Sequence, residues 1–230
     1  MSFETPEQLA AGIALTKMSA KEFAMEANVA PMTISRVLNS NELLNNMRAD
    51  TKERLDRCFS MHDVEFIPGG ARISQQTTVV LSGKDGFAEF RQRVLKEVRA
   101  GNSDVCVSTI DEREFDKWGE GEINDYYRSE MAKIRKNDPE LKFRTLVKIG
   151  DKHLSAARHS TYRWIEEDLY SEIPYYIFGR NAASMIFTED SCDIIIIRIP
   201  KYVDEKRRLF NKLWEQGQDL KFNPMEGLPK

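Results

Sequence analysis

Apolar positions recur along this chain at two different spacings, and the change of spacing divides it. Through residue 62 they recur every three or four residues, the mark of helices with one buried face. Leu9, Ile13, Ala14 and Met18 form the first stripe, behind Thr5 and a Pro6 at the first helical position. Phe23, Ala24 and Ala27 form the second, with Ser19 ahead of it and Glu22 three residues on to complete a capping box. Ile34, Val37 and Leu38 form the third, opened by Pro31. Asn28 and Val29 separate the second stripe from the third, and Asn tolerates the left-handed conformation of a sharp turn. A short helix or loop is expected over 41–46. A further helix, capped by Asp50 or Thr51, then turns Leu55, Cys58, Phe59 and Met61 inward.

Beyond residue 62 the apolar runs shorten. Val64, Phe66 and Ile67 suggest a short strand broken by Pro68-Gly69-Gly70, in a linker over 63–77. Strands are expected at 77–81, 104–110, 141–149 and 173–178, with a hairpin from 184–187 and 192–199 around Glu189-Asp190. Helices are expected at 86–100, 123–136 and 203–216. Phe87, Phe90, Val94, Leu95 and Val98 line the first of these, Tyr126, Tyr127, Met131 and Ile134 the second, and Leu209, Phe210, Leu213 and Trp214 the third. Residues 162–169 read as one more helix. The run from Ile194 to Ile199 is apolar on both sides of the pleat, as a strand covered on both faces would be. The fold class expected is α+β. An all-α helix-turn-helix bundle over 1–62 precedes an α/β sandwich over 78–220 and a tail over 221–230.

The helical hairpin from Ser19 to Ser40 carries the clearest chemistry. Its second helix turns Thr33, Ser35, Arg36 and Asn39 outward. Side chains of this kind can read base edges if the helix enters a major groove. A solvated polar face on an ordinary hairpin would look the same in spacing.

The pattern Ser19, Phe23, Ala24, Asn28, Val29, Ala30, Thr33, Ile34, Ser35, Arg36 resembles the helix-turn-helix of Cro/CI-type (Xre-like) regulators. The ending TISRVLNS is also similar to the headpiece of LacI-type regulators, but the preceding helix favours the Cro/CI arrangement. Asn28 stands where that family usually has Gly. Ala20 stands where it often has a Gln that touches the DNA backbone. The resemblance implies a regulator of transcription, a repressor, working as a homodimer on a palindromic site in double-stranded DNA. The DNA-binding residues it marks are Lys21, Pro31, Met32, Thr33, Ser35, Arg36 and Asn39. Over residues 78–216 the order of elements and the ending LFNKLWE resemble one half of a phospholipase D-like fold. The degenerate form at the back of TrmB-type regulators is the nearer likeness, and it implies a sensor and dimerisation domain.

Charge tempers this picture. The whole chain is at −3, and residues 1–62 hold seven Lys and Arg against eight Asp and Glu, 7 − 8 = −1. DNA affinity per copy should therefore be modest, resting on a local patch from Lys17, Lys21 and Arg36 and on dimerisation. Catalytic phospholipase D domains carry H-x-K-x(4)-D, and none of His62, His153 and His159 is followed two residues on by Lys. No P-loop and no G-x-S-x-G is present, so no enzyme activity is expected. Cys58, Cys106 and Cys192 read as buried free thiols of a cytoplasmic protein. With no C-x-x-C and no His pair at ligand spacing, no metal or cofactor is expected. The start is not a signal peptide, and no apolar run is long enough for a membrane span.

Two further clusters have alternatives open. Lys148, Lys152, His153, Arg158, His159 and Arg163 form either a solvated loop or a pocket for a small anionic effector, with Lys148, Arg158, His159 and Arg163 as its ligands. Tyr175, Tyr176 and Arg180 could line the same mouth. Residues 111–121 read as a charged loop or a partly helical insert, with Asp111, Glu112, Glu114, Asp116, Glu120 and Glu122 as a solvated acidic run and Trp118 as a contact point. A DNA-targeted nuclease and a protein-binding helical module on an α/β domain are the competing functions.

Overall fold

The computed structural model describes residues 2–74, 77–119 and 121–225, which form two compact units, 1–75 and 76–230.

The first unit holds helices α1 (Pro6–Leu15), α2 (Ala20–Glu26), α3 (Pro31–Val37), α4 (Asn41–Asn45) and α5 (Ala49–Met61), then strands β1 (Val64–Ile67) and β2 (Gly70–Ile73). Capping fixes where the first two helices begin. Thr5 accepts from the Gln8 amide and Gln8 Oε1 accepts from the Thr5 amide, a capping box with glutamine as the returning side chain. Gln8 also donates from Nε2 to the Ile67 carbonyl at 2.9 Å, tying α1 to β1. Ser19 and Glu22 make the second box as expected. Asp50 and Thr51 do not cap α5. Arg48 stands at its N-cap and makes no side-chain cap.

Four phenylalanines fill the centre of this unit. Phe59 lies 4.4 Å from Phe23, 4.9 Å from Phe66 and 5.9 Å from Phe3, centroid to centroid. Leu9, Ile13, Ile34, Val37 and Leu55 close around them. Ala14, placed in the inner stripe from its spacing, is exposed. The unit is also not all-α. Residues 64–73, read as part of a linker, form an antiparallel hairpin whose Val64 and Phe66 lie in this same core. Gly69 makes the tight turn at φ 80°.

The second unit is an eight-stranded mixed sheet, so the chain is α+β. Its elements are β3 (Thr78–Ser82), α6 (Gly83–Arg99), β4 (Asp104–Ser108), α7 (Glu112–Trp118), α8 (Glu122–Asn137), β5 (Lys142–Lys148), β6 (Thr161–Ile165), β7 (Tyr175–Phe178), β8 (Asn181–Phe187), β9 (Cys192–Ile197), α9 (Pro200–Gln216) and β10 (Gln218–Asp219). The strand order is β10-β6-β5-β4-β7-β8-β9-β3. Strands β4, β5 and β6 run parallel, and the other pairings are antiparallel. Side chains alternate across the pleat into two cores. Val105, Val107, Phe143 and Tyr176 pack with Phe87, Phe90 and Val94 of α6 and Tyr127 and Met131 of α8. Cys106, Leu146, Ile177 and Ala182 pack on the other face with Val203 and Phe210 of α9.

Several expectations change here. Residues 161–165 are a strand, followed by a single 3₁₀ turn at Glu167–Leu169, where a helix was expected. Alternating β-branched and aromatic residues in TYRWI suit the pleat better than a helix. Of the two readings of the acidic stretch, the partly helical one holds, with Glu112–Trp118 a helix and Asp111 accepting from the Arg113 amide as its cap. Glu120 and the side chains of Glu122 and Ile123 lie outside the described residues. Strand β9 is buried through Cys192, Ile194 and Ile196 on one face, while Ile195 and Ile197 on the other are only half-buried. Tyr126 and Leu209 point to solvent rather than inward.

Gly12 offers a direct test of the first core. A Cβ there would sit 2.8 Å from Phe59 Cε1 and 2.9 Å from Phe66 Cζ, and both rings are locked by their neighbours. Gly12→Val is expected to lower the stability of the first unit by about 1–3 kcal/mol, as overpacking does. Urea unfolding followed through the helical signal of that unit would show it, and an unchanged midpoint would refute the packing described.

Candidate nucleic-acid interface

The outward face of α3 is set by what its inward face must do. Ile34 and Val37 are fully committed to the phenylalanine core, so Pro31, Met32, Ser35, Arg36 and Asn39 face solvent and Thr33 is half-buried. Met32 is 63% exposed, unusual for a methionine with a core within one helical turn. Arg36 makes no ion pair or hydrogen bond among the described residues, and Lys21 likewise has no partner there. One amide hydrogen of Asn39 is spent on the Ser35 carbonyl at 2.7 Å, which leaves that side chain partly committed to its own helix.

The turn between α2 and α3 is fixed from both sides. Asn28 adopts φ 54°, the left-handed conformation, and the Val29 amide donates back to the Ala24 carbonyl at 2.8 Å. Arg54 of α5 reaches across and donates to the Asn28 carbonyl at 3.1 Å. The acids of α2 are occupied. Glu22 accepts from the amide and hydroxyl of Ser19, which hold its carboxyl below the usual range, and Glu26 pairs with His62 at 2.8 Å. Lys21 and Arg36 thus stand unengaged among the described residues beside engaged α2 carboxylates.

Glu26, Cys58 and His62 also bring three ligand-type atoms within 4.8 Å of one another. Cys58 and His62 are one turn apart on α5, a spacing overlooked in the sequence because no second Cys or His accompanies it. Thiolate, imidazole and carboxylate suit zinc, but three ligands fall one short of the closed tetrahedral set of a structural site. The His62–Glu26 hydrogen bond satisfies both groups without a metal.

In the second unit the expected anion ligands do not converge. Arg163 lies on the α9 side of the sheet, donating to the Trp214 carbonyl at 2.8 Å and to Asp219 at 3.0 Å, with its guanidinium over the Trp214 ring. Its neighbour Tyr162 points to the opposite face, as period two requires. Lys148 is paired with Glu167. Tyr176 is buried in the α6 core and Tyr175 lies on the α9 side under Lys206, so neither lines a common mouth with Arg180. Arg158 and His159 do lie together, in a cleft of about 610 Å³ against α8.

That cleft rests on a buried polar core the sequence did not reveal. Glu112 is buried despite its acidic neighbours. It accepts from the Tyr162 hydroxyl at 2.8 Å, the Ser155 hydroxyl at 3.2 Å and the Ala156 amide at 3.3 Å. Burial pushes its carboxyl above the usual range and these donors oppose the shift. Arg91 is buried beside it with its guanidinium against the rings of Tyr127, Phe115 and Phe87 at 4.3, 4.8 and 5.1 Å. Such ring faces attract a cation most strongly where water is excluded. His159 is 3% exposed, edge-on to Phe143 at 4.9 Å, and neither ring nitrogen has a partner among the described residues. Burial, aided by the fields of Arg91 and Arg128, drives its pKa down to about 3, so the ring is neutral.

A neutral buried histidine has a measurable consequence. Below its ordinary pKa of about 6.5 the unfolded chain takes up a proton that the folded chain refuses. Stability is then lost as pH falls from about 6.5 toward 3. At pH 5 this term is on the order of 2 kcal/mol. His159→Leu is expected to lose less stability than the natural chain between pH 7 and pH 5, read by urea unfolding at each pH. Equal losses in the two proteins would show that His159 titrates normally.

No protein-family profile matches this chain, and no curated protein matches its sequence. Among solved structures, Nuc, a phospholipase D family member from Salmonella typhimurium, is similar with 11% identity and a TM-score of 0.42, covering 63% of this chain and 98% of its own. TrmBL2, an archaeal chromatin protein described as showing a novel mode of DNA binding, is similar with 13% identity and a TM-score of 0.42, covering 91% of this chain and 92% of its own. Likeness at this level carries no functional argument.

Proposed function

We propose that this chain is a cytoplasmic, sequence-specific DNA-binding regulator of transcription, acting as a repressor. It binds a palindromic operator as a homodimer through α3. The second unit is non-catalytic and serves dimerisation and the sensing of a small anionic effector. One observation carries the reading. Helix α3 presents an unpartnered Arg36 amid Ser35, Met32 and Thr33 on its outward face, on a turn held rigid by Asn28 and Arg54. Arginine in that setting donates two parallel hydrogen bonds to the guanine edge, and serine and threonine reach base edges or phosphate. The resemblance to Cro/CI-type regulators over Ser19–Arg36 points the same way.

The need for two copies follows from charge. With few cations near α3, one copy neutralises few phosphates, so two half-sites about one helical turn apart (roughly 34 Å) must be held together. The absence of H-x-K-x(4)-D supports a non-catalytic second unit. Its His153 is paired with Asp116 at 2.7 Å, and its His159 is buried in the core.

The Arg36→Ala variant tests the assignment. It is expected to weaken binding at the preferred site by about 1–3 kcal/mol and to blur selectivity at one base pair of each half-site, read by titration against a panel of single-base variants. Unchanged preference across that panel would remove α3 from the role given to it.

A further inference from the structure

The cleft beside His159 has a chemistry that the regulator reading leaves unspecified. Helix α8 forms one wall and the loop between β5 and β6 the other. Arg128, Lys133, Lys136 and Arg158 line it against a single carboxylate, Asp125. Some of this charge is already balanced, Arg128 by Asp116 and Lys133 by Glu130. Lys136 has no partner among the described residues. The loop wall is not a loose surface segment, since Glu112 anchors it through Ser155 and Ala156.

His159 is the second, independent feature. It lines the cleft and lies more than nine-tenths buried, its two ring nitrogens closed off from solvent and without a partner among the described residues. The neutral ring closes one end of the cleft without adding charge to it. The complementary molecule therefore has a strongly anionic end for the cationic wall.

We propose that this cleft binds a small phosphorylated compound, its phosphate held by Lys136, Arg158 and Arg128 and its remainder lying beside the His159 ring. A phosphate suits the wall better than a carboxylate. Its three tetrahedral oxygens reach donors from both walls, whereas a planar carboxylate offers two oxygens in one plane. The volume, about 610 Å³, falls in the range of small-molecule sites and cannot admit a duplex. The proposal names the effector class of the regulator reading, yet it rests on the cleft alone.

Titration calorimetry on the full chain, with glycerol 3-phosphate and inorganic phosphate as probes at constant ionic strength, tests it. Saturable binding of one glycerol 3-phosphate per chain is expected, about tenfold weaker in Lys136→Glu and again in Arg158→Gln. Both residues are exposed, so neither change should disturb folding, which circular dichroism checks. The imidazole resonances of His159, identified by their loss in His159→Leu, should shift on addition of the probe while those of His62 do not. No saturable binding of either probe, or equal binding by both charge variants, would overturn the proposal. Arg36→Ala should bind the probe as the natural chain does, so failure of DNA recognition and failure of this site are read separately.

Discussion

The packing of Phe59 is the constraint on which the first unit depends. Its ring meets Phe23 of α2, Phe66 of β1 and Phe3 ahead of α1, and it leaves no room for a Cβ at Gly12 of α1. Burying an aromatic ring of this size is worth about 3–5 kcal/mol when judged by truncation. That single cluster fixes α2 against α5, and the Arg54–Asn28 bond then fixes the turn that aims α3. The exposed row on α3 is thus a consequence of where Ile34 and Val37 must go. A short helix of seven residues has little stability of its own, so its orientation is set by the core beneath it.

The second unit is organised by buried polar groups. Glu112 and Arg91 are both inside, and each is stabilised by neighbours that would be poor partners in water. Aromatic faces surround the guanidinium, and hydroxyls and an amide surround the carboxylate. Arg91 thereby joins rings of α6, α7 and α8, and Glu112 ties α7 to β6 and to the loop before it. The cleft over His159 inherits its shape from that arrangement.

What was legible in the sequence was local. Ser19 and Glu22 are three residues apart, and Asn28 adopts its turn by its own intrinsic preference, so the helix pair could be read directly. The Ile34–Val37–Leu38 stripe was equally local. Contacts over long separations were not legible. Glu112 sits in an acidic run that looks solvated, and its partner Tyr162 is 50 residues away. Residues 70–73 have too little apolar character to signal a strand and gain it only by pairing with Val64–Ile67. The cationic cluster failed for a geometric reason. Arg163 and His159 lie four residues apart, but the strand beginning at Thr161 sends Arg163 to the α9 face and its alternate neighbours to the other. Cys58 and His62 share a face of α5, yet Glu26 joins them only through the fold.

Selection of binding sites from random duplex DNA by the full chain, carried out at two salt concentrations, tests whether α3 reads bases. Enrichment of one two-fold symmetric sequence that survives the higher salt is expected, because base contacts through α3 add to the phosphate contacts that salt weakens. Enrichment of no sequence, with weak binding that vanishes at the higher salt, would contradict base reading by α3.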